Sequence, residues 1–224
     1  MKTDVIVLGA GGHAKVLIDT LRLRPDVNII GILDPNPACL GQDILGVRVL
    51  GNDDEMKHFA PNTVRLVNGV GSVDLPSVRK NIFLRFKASG YEFLTVLHPN
   101  AYIAASAVLG EGCQVMAGSV IQACVTIGSN VIINTNASID HESWLADHIH
   151  VAPGVVISGM VRIEEESHLG ARAVILQGVS VGKKSLVGAG AVVIGSIKAG
   201  SRVVGVPARE ISTIKEKCWD EELE

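Results

Sequence analysis

The stretch Val115–Leu145, VMAGSVIQACVTIGSNVIINTNASIDHESWL, carries an aliphatic residue at every sixth position: Val115, Ile121, Ile127, Ile133, Ile139 and Leu145. The register continues in both directions without slipping, from Ile103 to Val193. Two positions before each aliphatic stands a small or β-branched residue, as at Cys113, Ser119, Val125 and Ala137. Glycine recurs just after it, as at Gly110, Gly128, Gly170, Gly182 and Gly188. Neither an α-helix nor a flat sheet needs a period of six. A solenoid does, because short strands and tight turns bring the same inward side chain round again, and stacked coils bury what one coil cannot. Strands of a sandwich recur at irregular spacings of roughly 8–12 residues, so the repeat reads as a hexapeptide parallel β-helix. With three hexads per coil, residues 18 apart in the sequence lie one above another, separated by about 4.8 Å.

Upstream of the repeat, residues 4–10 (DVIVLGA) read as a buried parallel strand entering Gly9-Ala10-Gly11-Gly12-His13-Ala14. Val16, Leu17 and Leu21 then follow at helical spacing. Glycines there let a ligand approach the backbone, and the free N–H groups at a helix start favour an anion. A second strand, Ile29 to Leu33, ends in Asp34, where a nucleotide-binding βαβ unit places its acid; Asp34 is equally a turn former ahead of Pro35 and Pro37. A third strand is expected at Val64 to Val70 and a helix from Leu75 to Ala88. One half-site of this kind suits a nucleotide-sugar better than a dinucleotide, and Gly71, at the carboxyl end of the third strand, is where an open parallel sheet holds ligands. The chain thus divides into an α/β half-Rossmann nucleotide-sugar domain (1–95), a β-helix (96–211) and a polar, acidic tail (212–224) that reads as a short helix or frayed end. The join, Tyr91 to Asn100, is short and not Gly/Ser-rich, so the two domains are expected in fixed relation, with His98 packing at the seam.

The 224 residues are 47% hydrophobic, enough for a large core, and carry a net charge of -3. With no Lys/Arg cluster, nothing suggests a nucleic-acid surface. Cys39, Cys113, Cys124 and Cys218 show no paired spacing and read as free thiols of a reducing compartment. No segment is long enough to span a bilayer, and the expected location is the cytoplasm.

The chemistry concentrates around His141. Residues 134–142 (NTNASIDHE) crowd polar groups into little more than one hexad, and the residue stacked beside His141 on the next coil is Gly159. That missing side chain would leave space for a ligand to reach the imidazole. In acyl transfer the attacking amine or hydroxyl must lose a proton, and an imidazole is suited to take it near neutral pH. A carboxylate from Glu142 or Asp140 could orient the ring, provided a turn brings consecutive side chains together. A zinc site drawing on His141, His148, His150 and His168 would imply a hydratase like the γ-class carbonic anhydrases. However, His150 and His168 share one column and His141 lies in another, so no metal is expected. Neither column is in the core phase, so these histidines should point outward or lie at corners.

The segments GAGGHAKVL (9–17), ILDP (32–35), LHPNAYIAASAVLGEG (97–112), NTNASIDHE (134–142), HVAPG (150–154) and VVGVPAREI (203–211) together resemble the bacterial sugar-nucleotide N-acetyltransferases of the bacillosamine pathway and the related sialic acid O-acetyltransferases. The resemblance implies a left-handed β-helix, against the usual hand of parallel crossovers, assembled as a homotrimer with acetyl-CoA between subunits. It casts His141 as general base and Glu142 as the residue that increases its basicity. It sets His150 beside the acetyl group, Gly159, Ala171 and Ala189 against coenzyme A, and Gly11, Gly12, His13, Asp34 and Gly71 around the nucleotide-sugar. The activity it implies is acetyl transfer to the 4-amino group of a UDP-4-amino-4,6-dideoxy sugar. Alternatives are O-acetylation of sialic acid and, from other classes, a metal-dependent hydratase or a non-catalytic sugar-nucleotide-binding trimer.

Overall fold

The structure is a computed structural model and describes residues 2–213. Strand β1 (Thr3–Leu8) pairs in parallel with β2 (Val27–Leu33), and α1 (Gly12–Arg22) makes the crossover between them. On the other side of β1 lies β5 (Arg65–Asn68), so the strand order changes direction at β1. Both faces of β1 are covered, which is why it reads as a continuous apolar run. Val5 and Val7 pack with Leu17, Ile18 and Leu21 of α1. Ile6 and Leu8 pack with Phe83 and Phe86 of α2 (Ser77–Ala88). The sheet is larger than the three strands expected ahead of the join and the one more expected within it. A hairpin, β3 (Asp43–Ile44) and β4 (Val47–Gly51), turns at Leu45 and Gly46, both at positive φ, and β4 extends the sheet beyond β2. At the other edge β6 (Glu92–Phe93) pairs with β5.

The coil begins at Val96–Leu97, and its two-residue strands then return every six residues to Val192–Val193. They form three parallel sheets in which residues 18 apart are neighbours, as in the Gln114↔Ile132↔His150↔His168↔Leu186 column. This is the three-sheet repeat of hexads, consistent with a left-handed β-helix. The aliphatics of the sixfold register fill its interior: Ile121, Ile133, Ile139, Leu145, Ile163 and Leu169 are fully buried. Inward serines are satisfied by carbonyls of the next coil, as Ser143 Oγ is by Ser158 O at 3.0 Å. Gly110 and Gly128 admit no side chain, because a Cβ would lie 2.6 Å and 2.7 Å from backbone atoms of the coil above.

A second sixfold rule governs the corners. One residue in each hexad from Gly112 to Gly190 takes the left-handed conformation, with φ between +53° and +71°. Glycine holds this place at Gly112, Gly118, Gly154, Gly178 and Gly190, but Asn130, Asn136, Glu142, His148 and Glu166 hold it as well. Each non-glycine residue there costs roughly 1–2 kcal/mol, offset by the stacking that every completed corner allows.

The first sheet, which contains Gln114–Val115, Ile132–Ile133 and His150–Val151, faces the N-terminal domain. Val96 and Met116 pack with the α1 layer. α2 docks along the corner residues instead: the Phe83 ring meets His148 edge-on at 5.5 Å, and Lys80 pairs with Glu166 at 2.7 Å. At the far end Ser201–Val204 pairs with Leu186–Val187 two residues short of the usual step. Arg209–Thr213 then folds back antiparallel over it, covering the open edge. Ser212 and Thr213 therefore belong to a strand rather than to the helix or frayed end expected of the tail. Residues 214–224, with Cys218, lie outside the described residues. Cys39, Cys113 and Cys124 are free thiols, and burial pushes that of Cys113 up to about 11. Among the described residues no helix is long and apolar enough to cross a membrane.

Candidate active site

Two chemically distinct places emerge, on different faces of the coil. The first is the corner between the second sheet (Ser138–Ile139) and the third (Trp144–Leu145). Glu142 sits there at φ +58°, and this turn brings the side chains of consecutive residues to the same side. Glu142 Oε2 lies 3.0 Å from His141 Nδ1. Asp140 has another task, since its Oδ1 accepts from the backbone N–H of His141 at 2.8 Å. With the carboxylate at Nδ1, that nitrogen carries the proton and Nε2 keeps its lone pair. The pair is about half exposed and therefore adds little to stability; its consequence is the tautomer.

Gly159, expected to leave space for a ligand and to contact coenzyme A, lies against the His141 ring. It leaves space for the imidazole itself: a Cβ at position 159 would lie 2.6 Å from both Cε1 and Nε2 of His141. The ring is seated over the glycine, and Met160 N donates to His141 O at 2.9 Å to hold the corner. Gly159→Val should displace the base without altering it. The expected result is a fall of about 10²-fold in kcat from a shift near 1 Å, with the circular dichroism spectrum retained. An unchanged kcat would show that the seat does not matter.

The second place is a cavity of about 640 Å³ lined by Gly11, Gly12, His13, Asp34, Gly71 and His150, among others. It opens beyond the carboxyl ends of β1 and β5, where the strand order reverses. Gly9, at φ +96°, makes the turn, and a Cβ there would press on Val70 at 3.0 Å. At Gly11 and Gly12 a Cβ would meet nothing within 4 Å, so the backbone is open to the cavity. Gly11 caps α1 with no side-chain hydrogen bond, which leaves the first N–H groups of the helix free. Asp34 builds the turn: Oδ2 accepts from Ala10 N at 2.7 Å and Oδ1 from Asn36 N at 2.9 Å. It also lines a smaller cavity of about 250 Å³ with Asn36, Asn52 and Glu55.

The cavity's histidines are neutral and hydrogen-bonded, His13 through Nε2 and His150 through both ring nitrogens. Gln114 Nε2 donates to Asn68 O at 2.8 Å, so its Oε1 faces His13 and accepts from Nε2–H at 2.7 Å. Burial, with the charge of Arg79 behind it, lowers His13 to about 4. The Oδ1 of Asn134 is held by Thr135 N, which leaves Nδ2 to donate to His150 Nε2 at 3.4 Å. His150 Nδ1–H then donates to Ser72 Oγ at 2.7 Å, and the Ser72 hydroxyl can donate to His168 Nδ1 at 3.4 Å. The two rings meet edge to face at 4.9 Å. Burial first, then the neighbouring His168, His13 and Arg79, lowers His150 to about 3. His168 is likewise lowered by burial. These histidines point out of the coil, as their phase requires, but the loop bearing Ser72 buries them.

The residues expected around coenzyme A lie apart in the single chain. Ala171 and Ala189 line a cavity of about 330 Å³ with His150, His168 and Ser72, while Gly159 lies at the His141 corner. His98 lines a further cavity of about 480 Å³ between α1 and the coil. Among the described residues no three His, Cys, Asp or Glu side chains gather as a metal would require. Sequence reasoning gave no role to Ser72, Arg79, Asn134 and Gln114; two of them had a legible signal, Asn134 as the first residue of the polar run 134–142 and Gln114 as a polar residue in the column of His150 and His168.

Residues 4–86 match the PglD N-terminal domain, and residues 160–194 match the hexapeptide repeat of succinyl-transferase. The UDP-N-acetylbacillosamine N-acetyltransferase of Bacillus subtilis (strain 168) is 34% identical over 115 residues, 51% of each chain. The acetyltransferase domain of PglB from Neisseria gonorrhoeae FA1090, solved with acetyl coenzyme A, is 32% identical with a TM-score of 0.87, over 94% of this chain and 100% of that one. PerB from Caulobacter crescentus, solved with CoA and GDP-perosamine, is 34% identical with a TM-score of 0.85, over 93% of this chain and 97% of that one. A glycine turn over a nucleotide-sized cavity, joined to hexads that carry an oriented imidazole, thus coincides with likeness along nearly the whole length, and the chain belongs to the PglD-type sugar-nucleotide N-acetyltransferases with hexapeptide repeats.

Proposed function

We propose that the chain acetylates the 4-amino group of a UDP-4-amino-4,6-dideoxy sugar. Residues 1–95 would hold the nucleotide-sugar and residues 96–211 would carry the acyl transfer. As a family member it is an acetyltransferase that uses acetyl-CoA on an amino sugar nucleotide. The observation that carries the mechanism is the His141–Glu142 pair, whose 3.0 Å contact leaves Nε2 as the proton acceptor. The amine attacks the thioester carbonyl, a C–N bond forms, and its proton passes to Nε2. Glu142 stabilises the resulting imidazolium. Collapse breaks the C–S bond, and the thiolate that leaves takes the proton. Because both nitrogens of His150 are engaged, backbone N–H groups are assigned to the oxyanion.

A GDP-linked sugar is the second reading, favoured by 34% identity to PerB over 93% of this chain. CoA release measured separately with a UDP-4-amino-4,6-dideoxy sugar, GDP-perosamine and free sialic acid decides. Turnover only with the GDP sugar would replace the UDP reading, and turnover with none would end both.

A homotrimer is part of this reading and rests on two features. His141 and the 640 Å³ cavity lie on different faces of one chain, so neither completes the other. Between them the second sheet turns outward a column of Tyr102, Val120, Ser138, Val156, Val174 and Val192, in which Tyr102 is 56% and Val156 42% exposed. A second copy seated on that apolar face would bring its His141 corner to the edge bearing Ala171 and Ala189, and such a head-to-tail contact gives a trimer where its rotation closes after three copies. Co-assembly of His141→Ala chains with Gly12→Val chains, each inactive alone, should restore about a quarter of the parental activity by random assortment. No recovery in mixed assemblies would confine the site to one chain.

A further inference from the structure

Arg79 is the buried charge that the mechanism above does not use. It is 1% exposed on α2 and lies beneath the floor of the 640 Å³ cavity, where Nη1 donates to Asn68 O at 2.7 Å and to Val70 O at 3.0 Å. Nε reaches Asn130 O at 3.4 Å. Among the described residues Nη2 has no partner and no carboxylate forms an ion pair with Arg79. A cation buried without a counter-charge costs several kcal/mol. Carbonyls alone do not call for a charge, since a neutral amide can donate to them equally well.

Among the described residues no Lys or Arg lines the cavity, and the one formal charge in its lining is the carboxylate of Asp34. Even so, the guanidinium acts on groups inside it, for its charge contributes to the lowering of both His13 and His150. Burial brings Arg79 itself down to about 9, so it remains cationic near neutral pH. The free N–H groups at the start of α1 point to the same space.

We propose that Arg79 is the electrostatic anchor of the substrate's diphosphate, a cation held under the cavity floor whose counter-charge arrives with the nucleotide. This rests on reading the cavity as the nucleotide site. Arg79 is a positioning residue, acting through the Asn68 to Gly71 backbone that it braces. Its field favours a diphosphate over an uncharged nucleoside, whichever base is attached.

The test compares wild type, Arg79→Lys and Arg79→Gln for binding of UDP and GDP against uridine and guanosine. Gln keeps donors for the carbonyls but removes the charge. It should weaken the diphosphates at least tenfold and leave the nucleosides unchanged, while Lys should stay within about threefold of wild type. The proposal is overturned if Gln binds diphosphates normally, if the nucleosides weaken as much, or if Lys and Gln lose equally. Should the Gln protein not fold, the salt dependence of the wild type decides. A buried charge is poorly screened, so diphosphate affinity should fall less than about fivefold between 0.05 and 0.5 M NaCl, and a steeper fall would assign the attraction to surface cations. Wild type that binds neither UDP nor GDP would instead end the nucleotide reading itself.

Discussion

His141→Ala is expected to lower kcat by about 10²–10⁴-fold, the usual worth of general-base proton transfer, and to leave acetyl-CoA binding intact. Among the described residues the only side-chain hydrogen-bond partner of His141 is Glu142, itself exposed, and the ring rests on Gly159, so its removal leaves no buried polar group there unsatisfied. The corner backbone is set by the bonds of Met160 N to His141 O and Glu142 N to Ala123 O, neither of which needs the imidazole. A loss of activity therefore reports chemistry rather than folding. Glu142→Gln separates the two halves of the device: an amide can still hold the ring but cannot balance the imidazolium, so an intermediate loss should appear in kcat with little change in KM. Near-normal turnover by the Ala variant would remove His141 as the base.

The sequence made the coil legible because its register is periodic, and every inward aliphatic from Val115 to Val193 is buried. The eighteen-residue columns were legible for the same reason, down to the His150↔His168 pair. The corner rule was only half legible. Glycine and asparagine mark it at Gly112, Gly118, Asn130, Asn136 and Gly154, but Glu142 adopts the same conformation with no residue preference to signal it. The choice between Glu142 and Asp140 turned on that one dihedral. In the N-terminal domain β1, α1 and β2 could be read from their apolar patterns, whereas β3 has two residues and β4 alternates only over Val47, Arg48 and Val49 before Leu50 and Gly51 break the pattern. The burial of His150 could not be read from its own neighbourhood, because Ser72 stands 78 residues upstream. Arg79, similarly, looks like one more basic residue of α2 until the Asn68 and Val70 carbonyls close around it.

That long-range burial makes the domain seam sensitive to acid. His13 falls from 6.5 to about 4 and His150 from 6.5 to about 3, so both are neutral in the fold at a pH where the unfolded chain protonates them. Between those values the unfolded state binds more protons, and stability rises with pH. The contribution is complete above 6.5 and is lost as the pH falls toward the folded values. At about pH 5 each histidine has cost about 2 kcal/mol, and His168, lowered by burial, acts in the same direction. Asp74 opposes this at His168 only, while Arg79 reinforces it at His13 and His150. Denaturant unfolding at one protein concentration should therefore show the wild type losing about 4 kcal/mol more between pH 7 and pH 5 than a His13→Gln/His150→Gln double variant. The double variant keeps a polar group at each place but no titrating one. Parallel pH profiles for the two proteins would mean that acid enters the cavity without cost, and that the Ser72 loop does not seal the seam.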